Sequence, residues 1–452
     1  MKIYDVAVIG GGPAGYLAAE RACEAGLSTL LAERNRVGGV CLNEGCIPTK
    51  TLLHSGKTYE SVLHGAEKGI HCKDAVLNHA DVLAKKNRVV KTLVDGVEAA
   101  LKHRKADVVY GEACVSGSPT RFAVSVGGSE YQARHILIAT GSAPILPPIP
   151  GLADGVKQGR ILTSRELLDI EQVPASLVIV GGGVIGLEMA EYFSIAGSKV
   201  SVIEMLDRIG GEIDPDAARV LQNVLEAKGI RFYLQSRVIS LAGGQATFEK
   251  NGQQLSIPYD KALMSVGRKP NLRGLDSLGL HIERSAIVTD ARCGTNIAGV
   301  YAAGDVNGKY MLAHVAYREA EVAVNNIAGR TDAMDYSAIP GVVYTNPEVA
   351  YAGLSEQAAL AQGRSVAVRK ITINMSGRHV AEQGLSQGFC KLVIDEKRGF
   401  IIGATLVCAY ASEIIYTLAL MIQNKIPLES IKKTVFPHPT VCEIIREAVF
   451  SK

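Results

Sequence analysis

The sequence has no tryptophan, and it lacks several features that would place it in other classes of protein. It has no CxxC pair, so no structural zinc site, and no other metal site, is expected. Its apolar runs, such as HILIAT and SLVIVGGG, are short and end at or near small residues, so no membrane-spanning helix is predicted. Forty-eight basic residues nearly balance 45 acidic ones, which gives no reason to expect nucleic acid as a partner.

The cysteines and the first residues indicate the cellular compartment. A strand pattern begins directly after Met1 and leaves no room for a signal segment, so a cytoplasmic location is expected. Nine cysteines in a cytoplasmic chain do not predict a disulfide framework. Only Cys41 and Cys46 are near neighbours. Six others are predicted to be small buried hydrophobic residues: Cys23, Cys72, Cys114, Cys293, Cys390 and Cys408.

A strand, a glycine-rich turn, a helix and a second strand occur twice, as DVAVIGGGPAGYLAAERACEAGLSTLLAER and LVIVGGGVIGLEMAEYFSIAGSKVSVIEM. One constant offset aligns the two copies. It superimposes Gly10 on Gly181, Gly12 on Gly183, Gly15 on Gly186, Glu20 on Glu191, Gly26 on Gly197 and Glu33 on Glu204.

This repeat predicts two dinucleotide-binding sites. In each GxGxxG motif the first glycine permits the turn, the second lets the backbone approach a pyrophosphate, and the third lets helix pack on strand. The pyrophosphate would then meet the free N–H groups at the helix N-terminus. Glu33 and Glu204 end the second strands, where a carboxylate can accept hydrogen bonds from ribose hydroxyls. The alternative is two ordinary glycine turns, which the duplicated acid disfavours.

The segment CLNEGCIPTK (41–50) places two cysteines close to a proline. Pro48 is expected to exclude a regular helix there, and irregular backbone could bring Cys41 and Cys46 within disulfide range. Near a helix start the Cys46 thiolate would be stabilised. Lys50 lies four residues further on, on the same helix face. The alternatives are two unrelated core cysteines and a solvated lysine.

The segment FPHPTVCEII (436–445) places His438 before a proline and Glu443 at the start of a helix. A histidine whose second ring nitrogen is held by a carboxylate can act as a tuned base. A structural His–Glu pair is the alternative. Cys442 is expected to be a packing residue.

Together the two dinucleotide units, CLNEGCIPTK and HPTVCE resemble the pyridine nucleotide–disulfide oxidoreductases, in that family's order and along the whole chain. Within the family the chain is most similar to the dihydrolipoamide dehydrogenases. The resemblance implies an α/β fold with two Rossmann-like dinucleotide-binding domains and a C-terminal α+β dimerisation domain. The implied boundaries are 1–145 and 271–335 for the FAD-binding domain, 146–270 for the NAD-binding domain and 336–452 for the dimerisation domain.

The resemblance also implies which residues bind the cofactors. The FAD residues would be Gly10, Gly12, Gly15, Glu33, Lys50, Ala113, Thr140, Gly141, Ser142, Asp305 and Ala313. The NAD residues would be Gly181, Gly183, Gly186, Glu188, Glu204, Val238 and Gly267. Lys50 would lie by the flavin, paired with Glu188.

The implied activity is NAD-dependent dihydrolipoamide oxidation. The substrate would be the lipoyl group of a separate carrier protein, which would reduce a Cys41–Cys46 disulfide. His438 of the second subunit would take the thiol proton, with Glu443 orienting its ring, so the working unit would be a homodimer. Electrons would pass through FAD to NAD+.

Other functions remain open from the sequence. A glutathione reductase-like enzyme would use NADP, but Gly186 and Glu204 disfavour a 2′-phosphate. A mercuric reductase would carry a further cysteine pair near its C-terminus, and soluble transhydrogenases lack the cysteine at position 46. A non-catalytic flavoprotein scaffold would have no use for the cysteines together with His438 and Glu443. Pro437 and Asn346 differ from the residues common in the family.

Overall fold

The structure, a computed structural model, describes residues 2–119 and 121–451. Its strands are β1 (Ile3–Ile9), β2 (Thr29–Glu33), β3 (Asp107–Tyr110), β4 (Ala113–Ser118), β5 (Arg121–Val126), β6 (Ser129–Ile138), β7 (Ser142–Pro144), β8 (Ile161–Leu162), β9 (Ser176–Val180), β10 (Lys199–Ile203), β11 (Arg231–Tyr233), β12 (Ser236–Ser240), β13 (Gln245–Lys250), β14 (Gln253–Pro258), β15 (Lys261–Met264), β16 (Arg268–Pro270), β17 (Ile282–Glu283), β18 (Ala286–Ile287), β19 (Val300–Ala302), β20 (Pro340–Val343), β21 (Glu348–Gly353), β22 (Val366–Thr372), β23 (Phe389–Asp395) and β24 (Phe400–Cys408).

The α-helices lie between these strands, with short 3₁₀ turns at several connections. They are α1 (Pro13–Glu24), α2 (Gly39–Glu44), α3 (Cys46–Leu63), α4 (His79–His103), α5 (Leu152–Lys157), α6 (Ser164–Leu167), α7 (Val184–Ile195), α8 (Pro215–Ala227), α9 (Ala313–Ile327), α10 (Glu356–Ala361), α11 (Gly377–Gln383), α12 (Ala411–Gln423), α13 (Leu428–Lys432) and α14 (Glu443–Phe450).

The first sheet is built around β1, whose residues from Val6 to Ile9 are all buried, as is typical of a parallel strand that is covered on both faces. Its strand order is β3-β2-β1-β6-β5-β4, and β19 pairs with β6. The pairs β1 with β2, β1 with β6 and β2 with β3 are parallel. Parallel strands of this kind end at a common edge, and the loop from β1 to α1 lies at that edge.

The second sheet repeats the arrangement of the first. Its order is β11-β10-β9-β15-β8, and its strand pairs are parallel. Thus β9, β10 and β11 correspond to β1, β2 and β3. Gly10 and Gly181 have nearly equal φ angles of 102° and 104°, in a region that favours glycine. The internal repeat inferred from the sequence therefore exists in three dimensions.

The third sheet, β20-β21-β24-β23-β22, is antiparallel. Helices α12 and α14 cover it, and its core includes Leu392, Leu406, Leu418 and Ile445. Two parallel-sheet units and an antiparallel α+β unit confirm the predicted fold class. The chain returns to the first sheet at β19, after the second sheet is complete. The exact domain boundaries stay a prediction.

Two sequence-based expectations about cysteine and proline are wrong. Cys72 and Cys114 are exposed and Cys23 is partly exposed, whereas the other three cysteines predicted to be buried are so. Pro48 does not exclude a helix, because it is the third residue of α3. The first four N–H groups of a helix have no partner within it, so proline costs no hydrogen bond there. The irregular residue is Gly45, between α2 and α3 (φ −148°, ψ −102°).

Candidate active site

The two glycine loops have the shape that a dinucleotide needs. A Cβ added to Gly15 would lie 1.7 Å from the Gly10 carbonyl oxygen, so only glycine lets α1 pack this closely on its loop. The corresponding distance from Gly186 to the Gly181 oxygen is 2.3 Å. A Cβ on the middle glycine, Gly183, would meet nothing within 4 Å. Helices α1 and α7 have no side-chain cap, so their first N–H groups remain available to another acceptor, such as a pyrophosphate.

The acids at the ends of β2 and β10 hold the glycine loops in equivalent ways. Glu33 Oε2 accepts a hydrogen bond from the Gly11 N–H at 2.7 Å, and Glu204 Oε2 accepts one from the Gly182 N–H at 2.6 Å. Their Oε1 atoms accept backbone N–H groups two residues further on, at 2.7 Å and 2.8 Å. Each carboxylate therefore lies beside its loop, where a ribose would be placed.

The two cysteines lie together at the junction of α2 and α3. Both are free cysteines here, and each shifts the pKa of the other. The interaction with the Cys41 side chain lowers the pKa of Cys46, and the positive charge of Lys50 lowers it further, against the effect of burial. Hydrogen bonding to Cys46, followed by burial, raises the pKa of Cys41. Because Cys46 is also the first residue of an 18-residue helix, its thiolate form is stabilised more than that of Cys41.

Lys50 and Glu188 form an ion pair that joins α3 to α7. Lys50 Nζ lies 2.8 Å and 3.0 Å from the two Glu188 oxygens, and it lies 4.2 Å from the centre of the Tyr344 ring. The Tyr344 N–H also donates to Glu188, at 3.1 Å. The Glu188 side chain is 4% exposed, so these donors stabilise a charge that would otherwise be costly to bury.

The expected FAD residues after β6 form a polar cluster. Ser142 Oγ donates to Asp305 at 2.5 Å, and Arg268 Nε donates to Ser142 Oγ at 2.7 Å. Burial lowers the pKa of Arg268, and the Asp305 carboxylate opposes this. Thr140 Oγ1 donates to the Asn271 carbonyl at 2.6 Å. Arg268 thus positions Ser142. The local sequence around Arg268, GRKP, gives no sign of this contact.

The remaining expected FAD residues lie at helix and strand starts. Gly141 has a φ of 69° in the turn before β7. Ala313 begins the 15-residue helix α9, which has no side-chain cap, so its first N–H groups are available to a flavin oxygen. Ala113 is buried and begins β4, two residues after Gly111, whose N–H donates to the Glu33 carbonyl at 2.8 Å.

On the second sheet, the two less distinctive NAD residues lie at its borders. Gly267 has a φ of 113°, and its carbonyl accepts the Ile145 N–H at 3.0 Å where the chain leaves the sheet. Val238 is partly buried in β12, two residues after Ser236, whose N–H donates to the Glu204 carbonyl at 2.9 Å. Val238 is therefore near Glu204 in the structure, and Gly267 is two residues after Ser265, whose hydroxyl donates to the Gly181 carbonyl.

His438 and Glu443 form the pair expected from the sequence. His438 Nδ1 lies 2.8 Å from Glu443 Oε1, and the Thr440 N–H donates to Glu443 Oε2 at 2.8 Å. The Thr440 N–H, and then the His438 side chain, hold the pKa of Glu443 below its usual value. The imidazole is 77% exposed. Within the described residues no hydrogen bond or ion pair joins it to Cys41 or Cys46 of the same chain.

A tyrosine pair near Cys41 was missed at the sequence level. The hydroxyls of Tyr16 on α1 and Tyr317 on α9 lie 2.5 Å apart, with their rings packed edge to face. Burial raises the pKa of both tyrosines, and negative charge on Cys41 would raise each further. The only sign of Tyr16 in the sequence is its position directly after Gly15 of the first glycine motif. No sequence pattern indicates that Tyr317 lies beside Tyr16.

The sequence pattern of the pyridine nucleotide-disulphide oxidoreductases matches residues 4–320, and the pattern of that family's dimerisation domain matches residues 339–449. The chain belongs to this family. Membership confirms the resemblance noted above, the enzyme class, and the use of FAD and NAD. The close packing at Gly15 and Gly186 and the uncapped starts of α1 and α7 are compatible with these two nucleotides.

Similar proteins cover almost the whole chain. Dihydrolipoyl dehydrogenase of Mycoplasma pneumoniae is 37% identical over 98% of this chain and 97% of its own length. The enzyme of Geobacillus stearothermophilus is 36% identical over 98% and 95%. Among solved structures, LpdA of Mycobacterium tuberculosis superimposes with a TM-score of 0.89 at 26% identity over 98% of both chains. The flavoprotein disulfide reductase RclA of Escherichia coli gives 0.85 at 26% identity over 99% of both.

Two features are absent from the described residues. None of their helices is both long and apolar enough to cross a membrane. They contain no group of three or more His, Cys, Asp or Glu side chains that could hold a metal ion. The cytoplasmic location stays a prediction from the sequence.

Proposed function

We propose that this protein is a dihydrolipoyl dehydrogenase that oxidises protein-bound dihydrolipoamide and reduces NAD+ to NADH. The observation that carries the proposal is full-length identity of 35–38% to several proteins of that name. The paired cysteines at α2–α3 and the His438–Glu443 pair support it, because a dithiol oxidase needs a sulfur pair and a base.

Cys41 and Cys46 divide the sulfur chemistry between them. In the oxidised enzyme they form a disulfide. A substrate thiolate attacks Cys41 Sγ, and the Cys41–Cys46 bond breaks, so that Cys46 leaves with the electron pair. Its position at the start of α3, with Lys50 one turn away, stabilises the thiolate that results. The second substrate thiolate attacks the sulfur bound to Cys41, which releases the cyclic lipoamide disulfide and the Cys41 thiolate.

His438 moves the protons of both exchanges. Its Nε2 accepts the proton of the first substrate thiol, releases it to solvent, and can then accept the proton of the second thiol, while Glu443 orients the ring through Nδ1. The exposed imidazole is reached by Cys41 of a second subunit, so the unit that turns over is a homodimer. The dimerisation domain at residues 339–449 contains His438 and supports this arrangement.

Bound FAD would supply the two-electron chemistry that links the sulfur pair to NAD+. The first glycine loop, Glu33, Ala113, Thr140, Gly141, Ser142, Asp305 and Ala313 would hold it, with Lys50 beside its ring. The second glycine loop, Glu204, Val238 and Gly267 would hold NAD+, with Glu188 keeping Lys50 in place. Glu204 would accept hydrogen bonds from the adenosine ribose, so it disfavours a 2′-phosphate.

A side-by-side assay tests this function. The purified protein, loaded with FAD, is given dihydrolipoamide with NAD+, and lipoamide, glutathione disulfide or mercuric ion with NADH or NADPH. We expect the lipoamide pair with NAD(H) to exceed every other combination. Faster reduction of glutathione disulfide or mercuric ion would assign one of those reductase activities instead. No turnover with bound FAD would indicate a scaffold.

Replacing Glu204 should weaken the use of NAD+ selectively. In Glu204→Ala we expect kcat/KM for NAD+ to fall roughly tenfold, because two ribose hydrogen bonds worth about 1.4 kcal/mol together are lost. The value for NADP+ should rise, since the repulsion of its 2′-phosphate is removed. The matched control is Glu249→Ala, which removes an exposed carboxylate on β13. An unchanged kcat/KM for NAD+ in Glu204→Ala would exclude this residue from the site.

A further inference from the structure

Glu191 is a buried acid to which the proposed mechanism gives no role. Its side chain is completely buried in α7, one helical turn after Glu188. In the internal repeat it corresponds to Glu20 on α1, which is 13% exposed and lies 3.8 Å from Arg104. The repeat therefore preserves an acid here, but only in the second copy is it fully buried.

Two donors hold the Glu191 carboxylate. Lys228 Nζ, just after α8, donates to Glu191 Oε1 at 2.6 Å. The Asn346 N–H lies 3.0 Å and 3.1 Å from the two oxygens. Lys228 also donates to Glu60 on α3 at 3.1 Å. Burial alone would lower the pKa of Lys228, but its attraction to Glu191 and Glu60 raises it, so the ammonium remains charged.

The same pattern of contacts surrounds Glu188. Each carboxylate on α7 binds one lysine ammonium and one backbone N–H of the segment 344–346, which connects β20 to β21. Both lysines also connect α7 to α3, because Lys50 is a residue of α3 and Lys228 donates a hydrogen bond to Glu60 of α3. Glu191 therefore connects the same three elements as the Lys50–Glu188 pair, namely α7, α3 and the 344–346 segment.

A buried ion pair is a poor way to gain stability alone. Removing two charges from water is costly, and apolar residues of similar volume often stabilise a protein equally well or better. The charged arrangement instead fixes the orientation of α7 relative to its neighbours. Glu191 can satisfy Lys228 and Asn346 together only at one rotation of α7 against α3, and this rotation also sets where Lys50 and Cys46 lie.

We propose that Glu191 and Lys228 are positioning residues for the redox centre: they fix α7 and the 344–346 segment against α3, and so hold Lys50 and Cys46 in place beside the flavin. The inference rests on the proposed function, because that function places α3 at the flavin. It involves no bond making or breaking at Glu191 itself.

The decisive variant is Glu191→Leu combined with Lys228→Met. It replaces the pair by apolar side chains, so it leaves no unpaired buried charge, and Glu60 is exposed enough to be hydrated. We expect a thermal transition close to that of the wild type. The long-wavelength charge-transfer absorbance of the Cys46 thiolate with FAD should shift or weaken in the two-electron-reduced protein. Lipoamide turnover should fall about tenfold in kcat, with little change in KM for lipoamide, because misplacement of a reacting group acts on kcat.

Two comparisons make the result specific. Lys86→Met removes another buried lysine, which lies on α4 and donates hydrogen bonds to the Leu168 carbonyl and to Asp169. Neither contact involves α3 or α7, so this variant should leave the absorbance and kcat unchanged. Glu191→Gln keeps an acceptor for Asn346 and leaves Lys228 with Glu60, so it should show a smaller effect in the same direction. It also serves if the double variant does not fold.

A double variant with the absorbance and kcat of the wild type would overturn the proposal, as would an equal effect of Lys86→Met. Failure of the proposed function would be recognised separately. The wild-type protein would then lack lipoamide turnover, whereas the Cys46–flavin absorbance would still report whether Glu191 positions that sulfur.

Discussion

Lipoamide turnover in a His438→Gln variant is expected to fall by about 10³-fold, while FAD binding and flavin reduction by NADH stay unchanged. General acid–base catalysis by a positioned side chain contributes about 10²–10⁴-fold, and both thiol exchanges need this base. The Glu443 contact at 2.8 Å shows that the imidazole is already oriented. The measurements are steady-state NADH formation from dihydrolipoamide and, separately, reduction of ferricyanide by NADH.

The matched control is another histidine beside an acid. His281 Nε2 lies 3.3 Å from Glu283, and both side chains are exposed. His281→Gln should therefore turn over lipoamide at the wild-type rate. If His438→Gln also did so, His438 would have no place in the mechanism, and its pair with Glu443 would be structural.

The two cysteine variants should both lose lipoamide turnover, by roughly 10⁴-fold or more, because the nucleophilic exchange has no substitute route. They should differ in colour. Cys41→Ser keeps the Cys46 thiolate, stabilised by Lys50 and the start of α3, so it should show long-wavelength absorbance with FAD. Cys46→Ser should lack that band. Visible spectra recorded from pH 5 to pH 9 test this difference.

Because the pKa of Cys46 is lowered, the absorbance band should respond to pH in a defined way. The band in Cys41→Ser should persist as the pH falls below the usual pKa of a thiol and disappear only on protonation of Cys46. The serine hydroxyl of this variant can donate a hydrogen bond to the Cys46 sulfur in place of the Cys41 thiol, and the positive charge of Lys50 adds to its effect against burial. Cys72→Ser, at an exposed cysteine, is the control and should keep full turnover. A band in Cys46→Ser and none in Cys41→Ser would reverse the assigned roles.

The repeat was the part of the fold most open to prediction. Glycine at three fixed positions and an acid at the end of the next strand are demands of the local backbone, so the motif in Gly10–Gly15 and its copy predict similar structures. The His438–Glu443 and Lys50–Glu188 contacts were also expected, the second only through resemblance to the family. Pairing of residues 138 positions apart is not encoded in any local pattern.

What could not be predicted depends on contacts between distant elements. Arg268 reaches Ser142 because β16 pairs with β7, and Tyr317 reaches Tyr16 because α9 packs on α1. The expectation that Pro48 excludes a helix was wrong because a helix can begin two residues before a proline. The exposure of Cys72 follows from the irregular segment between α3 and α4, where apolar residues such as Val76 are also exposed.

The exposed His438 imidazole has a consequence for mixed populations of subunits. If each catalytic centre takes its cysteines from one chain and its base from the other, His438→Gln and Cys46→Ser chains, each inactive alone, would complement one another. Random reassociation of equal amounts would place one intact centre in half of the dimers, which restores about a quarter of the wild-type rate. The inheritance of two defective alleles could then produce a working enzyme, and recovery would depend on exchange of subunits rather than on repair of either chain.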